Sequence, residues 1–344
     1  MSRFWLASLL MVLVTASMCA AGDEESYHER LEYDAQTGQW VAIAPPIPGT
    51  AEGDLALARL RLAQGEYKKA RKAFKKWFKA YPDSPHWPEA LFYTAETEVS
   101  AEDVKPKKGD LIKAYEWLEE LLEGWPGTEL ADRAIRKEMI IAEMLLFKDR
   151  KQRVWGGLLW LSGKEEALQM LDRIIDDWAR DTPVAEQALR LKADYHYLAG
   201  EFDEAELTYA RLARDYPRGR YHKIALLRSG ESAFARFPGV AFDDADLLEA
   251  EVYFTDFKDR YAQDAADYGV PQKLNRIRES RAHKEYTIGR YYEKTRVIEA
   301  AAFYYRLVDQ NWPETTWAAE ARNRLVALGA AAEPIEPVAY EEED

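Results

Sequence analysis

Six times along this chain an Ala is followed, eleven residues later, by Tyr or Trp, with apolar side chains between them at plus four and plus seven. The outer pairs are Ala70/Tyr81, Ala114/Trp125, Ala167/Trp178, Ala205/Tyr216, Ala250/Tyr261 and Ala301/Trp312. Phe74, Leu118, Leu171, Tyr209, Phe254 and Tyr305 hold the plus-four column, and Trp77, Leu121, Ile174, Leu212, Phe257 and Val308 the plus-seven column. Side chains spaced 0, 4, 7 and 11 share one face of a 3.6-residue helix. In four copies the aromatic is followed at once by Pro82, Pro126, Pro217 or Pro313, which stops one helix or starts the next. Eight residues past those prolines stand Ala90, Ala134, Ala225 and Ala321. The pattern predicts repeated helix pairs, the marker columns lying on the second helix of each.

The Gly five residues before the marker (Gly65, Gly109, Gly200), the Ala, the plus-four aromatic and the plus-twelve Pro together match the tetratricopeptide (TPR) pattern, with connections longer than in a strict 34-residue repeat. The expected fold class is all-α: a right-handed TPR α-solenoid of about five to six helix pairs, each packing on its neighbours. Boundaries follow from the breaks in pattern. Residues 1–21 read as a signal peptide and 22–50 as a Pro-rich extended tether. The helix pairs occupy 51–128, 129–219 (with an apolar insertion at 147–164) and 220–326, and 327–344 form an acidic tail expected to be disordered. The insertion holds Trp155 and Trp160 and folds back on the solenoid or touches a membrane or partner.

Charge narrows the function. The chain has 344 residues and a net charge of −14, which argues against a general nucleic-acid binder. An apolar stretch from Phe4 to Val14 behind Arg3 describes an export signal, too short to span a bilayer. Cys19, the chain's one Cys, follows it and excludes any multi-Cys metal site or internal disulfide. It reads either as a lipid-acylated mature N-terminus, although Ala16-Ser17-Met18 depart from a standard lipobox, or as a bystander to ordinary signal cleavage. The five His form no metal-binding pair, and Gly157 to Lys164 miss a P-loop by one residue and by Glu165 in place of Ser or Thr. No catalytic residue, metal or cofactor is expected; a carboxylate-based enzyme stays open as a rival and would need a deep pocket with a carboxylate of raised pKa.

The question becomes which partner is bound. First-helix tyrosines Tyr93, Tyr195, Tyr197 and Tyr286 are groove candidates, although such residues also pack between repeats. We take the run Gln272–Lys284, with Arg276, Arg278, Arg281 and Lys284, as the chain's main basic stretch and a candidate site for an acidic partner surface. Lys105-Pro106-Lys107-Lys108-Gly109 forms a further basic loop within the second pair.

Residues of the C-terminal half carry a family resemblance. Ala250-Glu251-Val252-Tyr253-Phe254-Thr255-Asp256-Phe257, Tyr261, Glu285-Tyr286-Thr287-Ile288-Gly289-Arg290-Tyr291-Tyr292 and Asn311-Trp312-Pro313-Glu314-Thr315 resemble the BamD family of outer-membrane β-barrel assembly lipoproteins. The likeness spans roughly residues 185–326. It implies a periplasmic scaffold, lipid-anchored through Cys19, that docks a BamA-type partner with its C-terminal repeats and receives unfolded outer-membrane proteins nearer the N-terminus. By that analogy the helix of Arg276, Arg278 and Arg281 is the partner face. The alternative is another periplasmic TPR adaptor, coordinating envelope or cell-wall enzymes.

Overall fold

The computed structural model describes residues 30–34, 39–43, 46–148, 151–154 and 159–330. Six helix pairs follow one another. They are α1 (Ala51–Ala63) with α2 (Tyr67–Ala80), α3 (Trp87–Val104) with α4 (Leu111–Gly124), and α5 (Glu129–Phe147) with α6 (Lys164–Arg173). Then come α7 (Pro183–Ala199) with α8 (Phe202–Asp215) and α9 (His222–Arg236) with α10 (Ala245–Arg260). After the short α11 (Ala262–Ala265), the long α12 (Val270–Lys294) pairs with α13 (Ile298–Asn311), and α14 (Thr316–Ala327) packs on both. This is the TPR solenoid that the columns predict.

The columns are the seams. All six marker alanines are fully buried, and so are the six residues at plus four and the six at plus seven. A seam position filled by Ala lets two helix backbones approach; the larger plus-four and plus-seven side chains then fill the space at interior density. In five copies the plus-eleven aromatic is the residue that ends the helix, its backbone N–H donating to the plus-seven carbonyl. The third copy differs. Ile174–Trp178 form a π-helical turn, and the Ala179 N–H donates to the Ile174 carbonyl, five residues back. One residue is thereby added, and the buried Ala that corresponds to Ala90, Ala134, Ala225 and Ala321 falls at Ala188, ten residues past the aromatic instead of nine.

The three glycines of the motif act in two ways. Gly65 and Gly200 sit in the left-handed region (φ 74° and 77°) where each first helix turns into the second. At Gly109 the reason is space: a Cβ there would lie 2.0 Å from the Glu98 carbonyl oxygen.

Apolar side chains cluster in three bodies. One runs from Leu55 to Ala90 across α1, α2 and the start of α3, and a second, much larger, from Leu91 to Ile277. The third joins Ala282 and Tyr286 to α13 and α14. Helix α12 therefore belongs to two cores, its first half closing the main body and its second half opening the C-terminal unit.

The structure departs from the all-helical expectation at two antiparallel hairpins. β1 (Arg30–Asp34) pairs with β2 (Gln39–Ile43), so the segment read as an extended tether contains ordered strand pairing. Leu31 and Tyr33 alternate with polar residues, and Gln39–Ile43 is rich in β-branched and aromatic types, a period-two signal that the Pro count of 22–50 obscured. β3 (Lys151–Val154) pairs with β4 (Leu159–Ser162) inside the 147–164 insertion, with β3 running beside α4. Cys19, Trp155 and the tail from residue 331 lie outside the described residues.

Candidate partner-binding surface

Helix α12 carries the four cations named from sequence, and the fold sorts them into two kinds. Arg281 bonds Asp244 at 3.2 Å and Glu251 at 2.9 Å, and Lys284 bonds Asp244 at 2.7 Å. These three groups are only about one-fifth exposed, and they tie α12 to the start of α10. Burial pushes the Asp244 carboxyl up, but the hydrogen bonds and charges of Lys284 and Arg281 outweigh it and hold the group below the ordinary carboxylate value. Arg276 and Arg278 are exposed instead. The Arg276 guanidinium lies 5.2 Å over the Phe234 ring of α9, and Arg278 faces solvent. The four residues thus share a helix without sharing a face: two are structural, two are presented.

The groove tyrosines divide in the same way. Tyr195 and Tyr286 are buried, the first edge-on to Phe147 and the second between Tyr305 and Trp317. Both serve packing. Tyr197 is half-buried, donating to Glu231 at 3.3 Å beneath the Arg228 guanidinium. Tyr93 alone of the four lines an open cleft, of about 440 Å³, between α3 and α5. Phe92, Tyr93 and Ile140 supply its apolar lining, and Arg133, Arg136 and Lys137, against the single acid Glu96, its net positive charge. Arg133 stacks over Phe92 at 4.5 Å and Arg59 over Tyr93 at 4.3 Å; Lys137 is paired to Glu96 at 2.5 Å. An open, aromatic-lined cationic cleft on first helices suits an extended polypeptide bearing apolar and acidic side chains.

Glu98, Glu138 and Glu206 are buried acids whose carboxyls burial pushes up, and Glu138, the most buried, bears most directly on the carboxylate-enzyme reading. Glu138 on α5 is fully buried, and its carboxyl is pushed well above the ordinary value, by burial first and then by the neighbouring charge of Glu119. Glu119 in turn pairs with Arg173 at 2.5 Å and accepts from the Trp178 indole at 3.0 Å. The raised carboxyl therefore sits sealed between helices and not in a pocket. Among the described residues no group of three or more His, Cys, Asp and Glu is placed to hold a metal, and no helix is long and apolar enough to cross a membrane.

Sequence reading overlooked the strongest charge feature. Helix α2, Tyr-Lys-Lys-Ala-Arg-Lys-Ala-Phe-Lys-Lys-Trp-Phe-Lys-Ala, holds seven cations and no acid, so it and not Gln272–Lys284 is the main basic stretch. The signal lay in plain view, between the residues of the Ala70/Phe74/Trp77 column.

Comparison with known proteins supplies the context. The family model described as YfiO, outer membrane lipoprotein, matches residues 165–339, and a tetratricopeptide-repeat model matches 51–97. No curated protein matches the chain. Among solved structures, the C-terminal part of a TPR repeat-containing protein from Cytophaga hutchinsonii aligns at 12% identity, covering 80% of this chain and 88% of that one, with a TM-score of 0.38. PilW, a type IV pilus biogenesis factor, aligns at 14% identity over 80% of this chain and 100% of its own, with a TM-score of 0.28.

Proposed function

The chain belongs to the YfiO family of outer membrane lipoproteins, and from that premise we propose that it is a non-enzymatic scaffold of outer-membrane β-barrel assembly, docking a BamA-type partner through its C-terminal repeats. The observation that carries this reading is the coincidence of the family match with α12. The matched half contains the helix that closes one core and opens the next, and that helix presents Arg276 and Arg278 outward while Arg281 and Lys284 hold it in place. A rigidly seated helix with two exposed guanidiniums is suited to an acidic partner surface, since little ordering entropy is lost on binding. Unfolded barrel substrates, extended and carrying aromatic and acidic side chains, suit the cleft of Tyr93, Phe92 and Arg133. Acylation of Cys19 would hold the scaffold at the periplasmic face of the outer membrane.

The test is a titration of the purified periplasmic domains of a BamA-type protein with this chain in detergent-free buffer. Arg276→Glu with Arg278→Glu is expected to weaken binding roughly tenfold at unchanged melting temperature. Unchanged affinity overturns α12 as the docking face. Absence of any binding by the parent chain overturns the BamA-type assignment and favours another envelope adaptor role.

A further inference from the structure

The exposed cationic face of α2 has no role in the reading above, and it lies outside residues 165–339. Of the seven cations on α2, Arg71 is used internally, bonding Glu98 at 2.6 Å and the Lys108 carbonyl at 2.5 Å. The six lysines, Lys68, Lys69, Lys72, Lys75, Lys76 and Lys79, are all exposed, and among the described residues only Lys69 of these has an acidic partner, Glu66 at 2.7 Å. Lys105 and Lys108 of the α3–α4 connection are exposed beside them, as is Val104 at 72%. Between α2 and that connection lies an open cleft of about 580 Å³, lined among others by Tyr67, Lys68, Val104, Lys105 and Lys108.

This arrangement is not an ordinary solvated face. Such a face alternates signs at i,i+3 and i,i+4, whereas Lys68, Lys72, Lys75, Lys76 and Lys79 stand at those spacings with like charge, which works against the helix. The helix is held by its other side, where Ala70, Phe74 and Trp77 are buried and the Trp77 indole donates to the Ala51 carbonyl at 2.6 Å. A charge concentration that opposes its own helix, in a chain of net charge −14, calls for an anionic counter-surface. Its chemistry identifies the kind. Arg, Trp and Tyr dominate the centres of polypeptide interfaces; here the outward residues are lysines on flexible stems, with no aromatic at their centre. Lysines spread over a face suit a field of phosphates, each adding an increment of attraction.

We propose that α2, with Lys105 and Lys108, is a docking face for anionic phospholipid headgroups that lays the N-terminal repeats on the membrane surface. The cleft beside Lys68, Lys105 and Lys108 receives a headgroup phosphate, and Val104 touches the interface. The proposal rests on membership of an outer membrane lipoprotein family for the nearness of a bilayer, and not on the identity of the protein partner. A polybasic face adds electrostatic attraction to anionic lipid beyond what any lipid anchor supplies.

The experiment is vesicle flotation of the full mature chain carrying Cys19→Ser, so that no acyl group contributes. Vesicles contain phosphatidylglycerol in phosphatidylcholine, or phosphatidylcholine alone. The expected result is binding to the anionic vesicles only, falling at least tenfold as salt is raised from about 50 to about 300 mM. Lys72→Glu, Lys75→Glu, Lys76→Glu and Lys79→Glu together remove it at unchanged helicity, and Arg276→Glu with Arg278→Glu leave it intact. Equal flotation with both vesicle types, or binding that survives the α2 reversal, overturns the proposal. So does displacement by soluble polyglutamate at charge concentrations well below those of the lipid, which would assign the face to an acidic protein. None of these outcomes touches the lipid-free titration of α12.

Discussion

Two basic helices, α2 and α12, look alike in sequence and differ in what the fold does with their charge. On α12, Asp244 and Glu251 reach Arg281 and Lys284 and convert half of the basic set into a clamp. On α2, among the described residues, the fold brings acids only to Arg71 and Lys69 and leaves the remaining lysines facing outward. Basic residues counted along a chain therefore do not measure a binding surface; the surface is what remains after the acids of neighbouring repeats have been assigned. Packing follows the same division. Helix α12 contributes buried residues to two cores and α2 to one, with only the partly buried Phe78 of α2 reaching the second.

The comparison can be broken or sharpened by substitution. The largest effect is expected at Gly289 on α12, where an added Cβ would lie 2.8 Å from the Tyr305 ring. Gly289→Leu should lower stability by about 1–3 kcal/mol or more, whereas Lys72→Leu on the open face of α2 should stay within about 0.5 kcal/mol; thermal unfolding of both decides this. Next comes the clamp. Asp244→Ala leaves the partly buried Lys284 without its acid and Arg281 with Glu251 alone, and should cost about 1–2 kcal/mol, discounted for partial exposure.

The clamp has a pH signature. Because the folded Asp244 carboxyl lies below its ordinary value of 3.8, its contribution is present above that pH and is lost as pH falls through the folded value. The stability gap between parent and Asp244→Asn should therefore close on acidification from pH 5 toward pH 3. A gap independent of pH contradicts the clamp.

Glu138 extends the comparison to a fully buried carboxyl whose titrating neighbour is another acid, Glu119. Its folded pKa is raised, so its contribution is fully present below 4.5, the unfolded value, and is lost as pH rises through the folded value. Glu138→Gln should gain on the parent as pH rises above 4.5, read as the difference in thermal unfolding of the two across that range. The smallest effect belongs to α2. Reversal of Lys72, Lys75, Lys76 and Lys79 to Glu should move stability by less than about 0.5 kcal/mol, although it changes the net charge by eight units.

What was legible in the sequence was what is local. The columns at 0, 4, 7 and 11 are set by helix period, and every one of their inner positions is buried, because a repeat packs on its sequence neighbours. The π turn at Ile174–Trp178 was not legible, since Trp178 lacks a following Pro but so does Tyr261, whose helix ends without such a turn. The fate of the cations was not legible. Asp244 lies 37 residues from Arg281 and 40 from Lys284, across a connection whose length varies between repeats. Tyr195 and Tyr286 failed as groove residues for the related reason that a first helix has two flanks and a front, and spacing alone did not say which of the three each ring would occupy.

The most direct test of the scaffold reading is affinity purification of the tagged full-length protein from detergent-solubilised envelopes, with mass spectrometry of what accompanies it, beside the Arg276→Glu, Arg278→Glu variant. The account predicts a BamA-type barrel protein as the leading stoichiometric partner of the parent, and its depletion from the variant. Cell-wall or other envelope enzymes in its place, recovered equally with parent and variant, would contradict it.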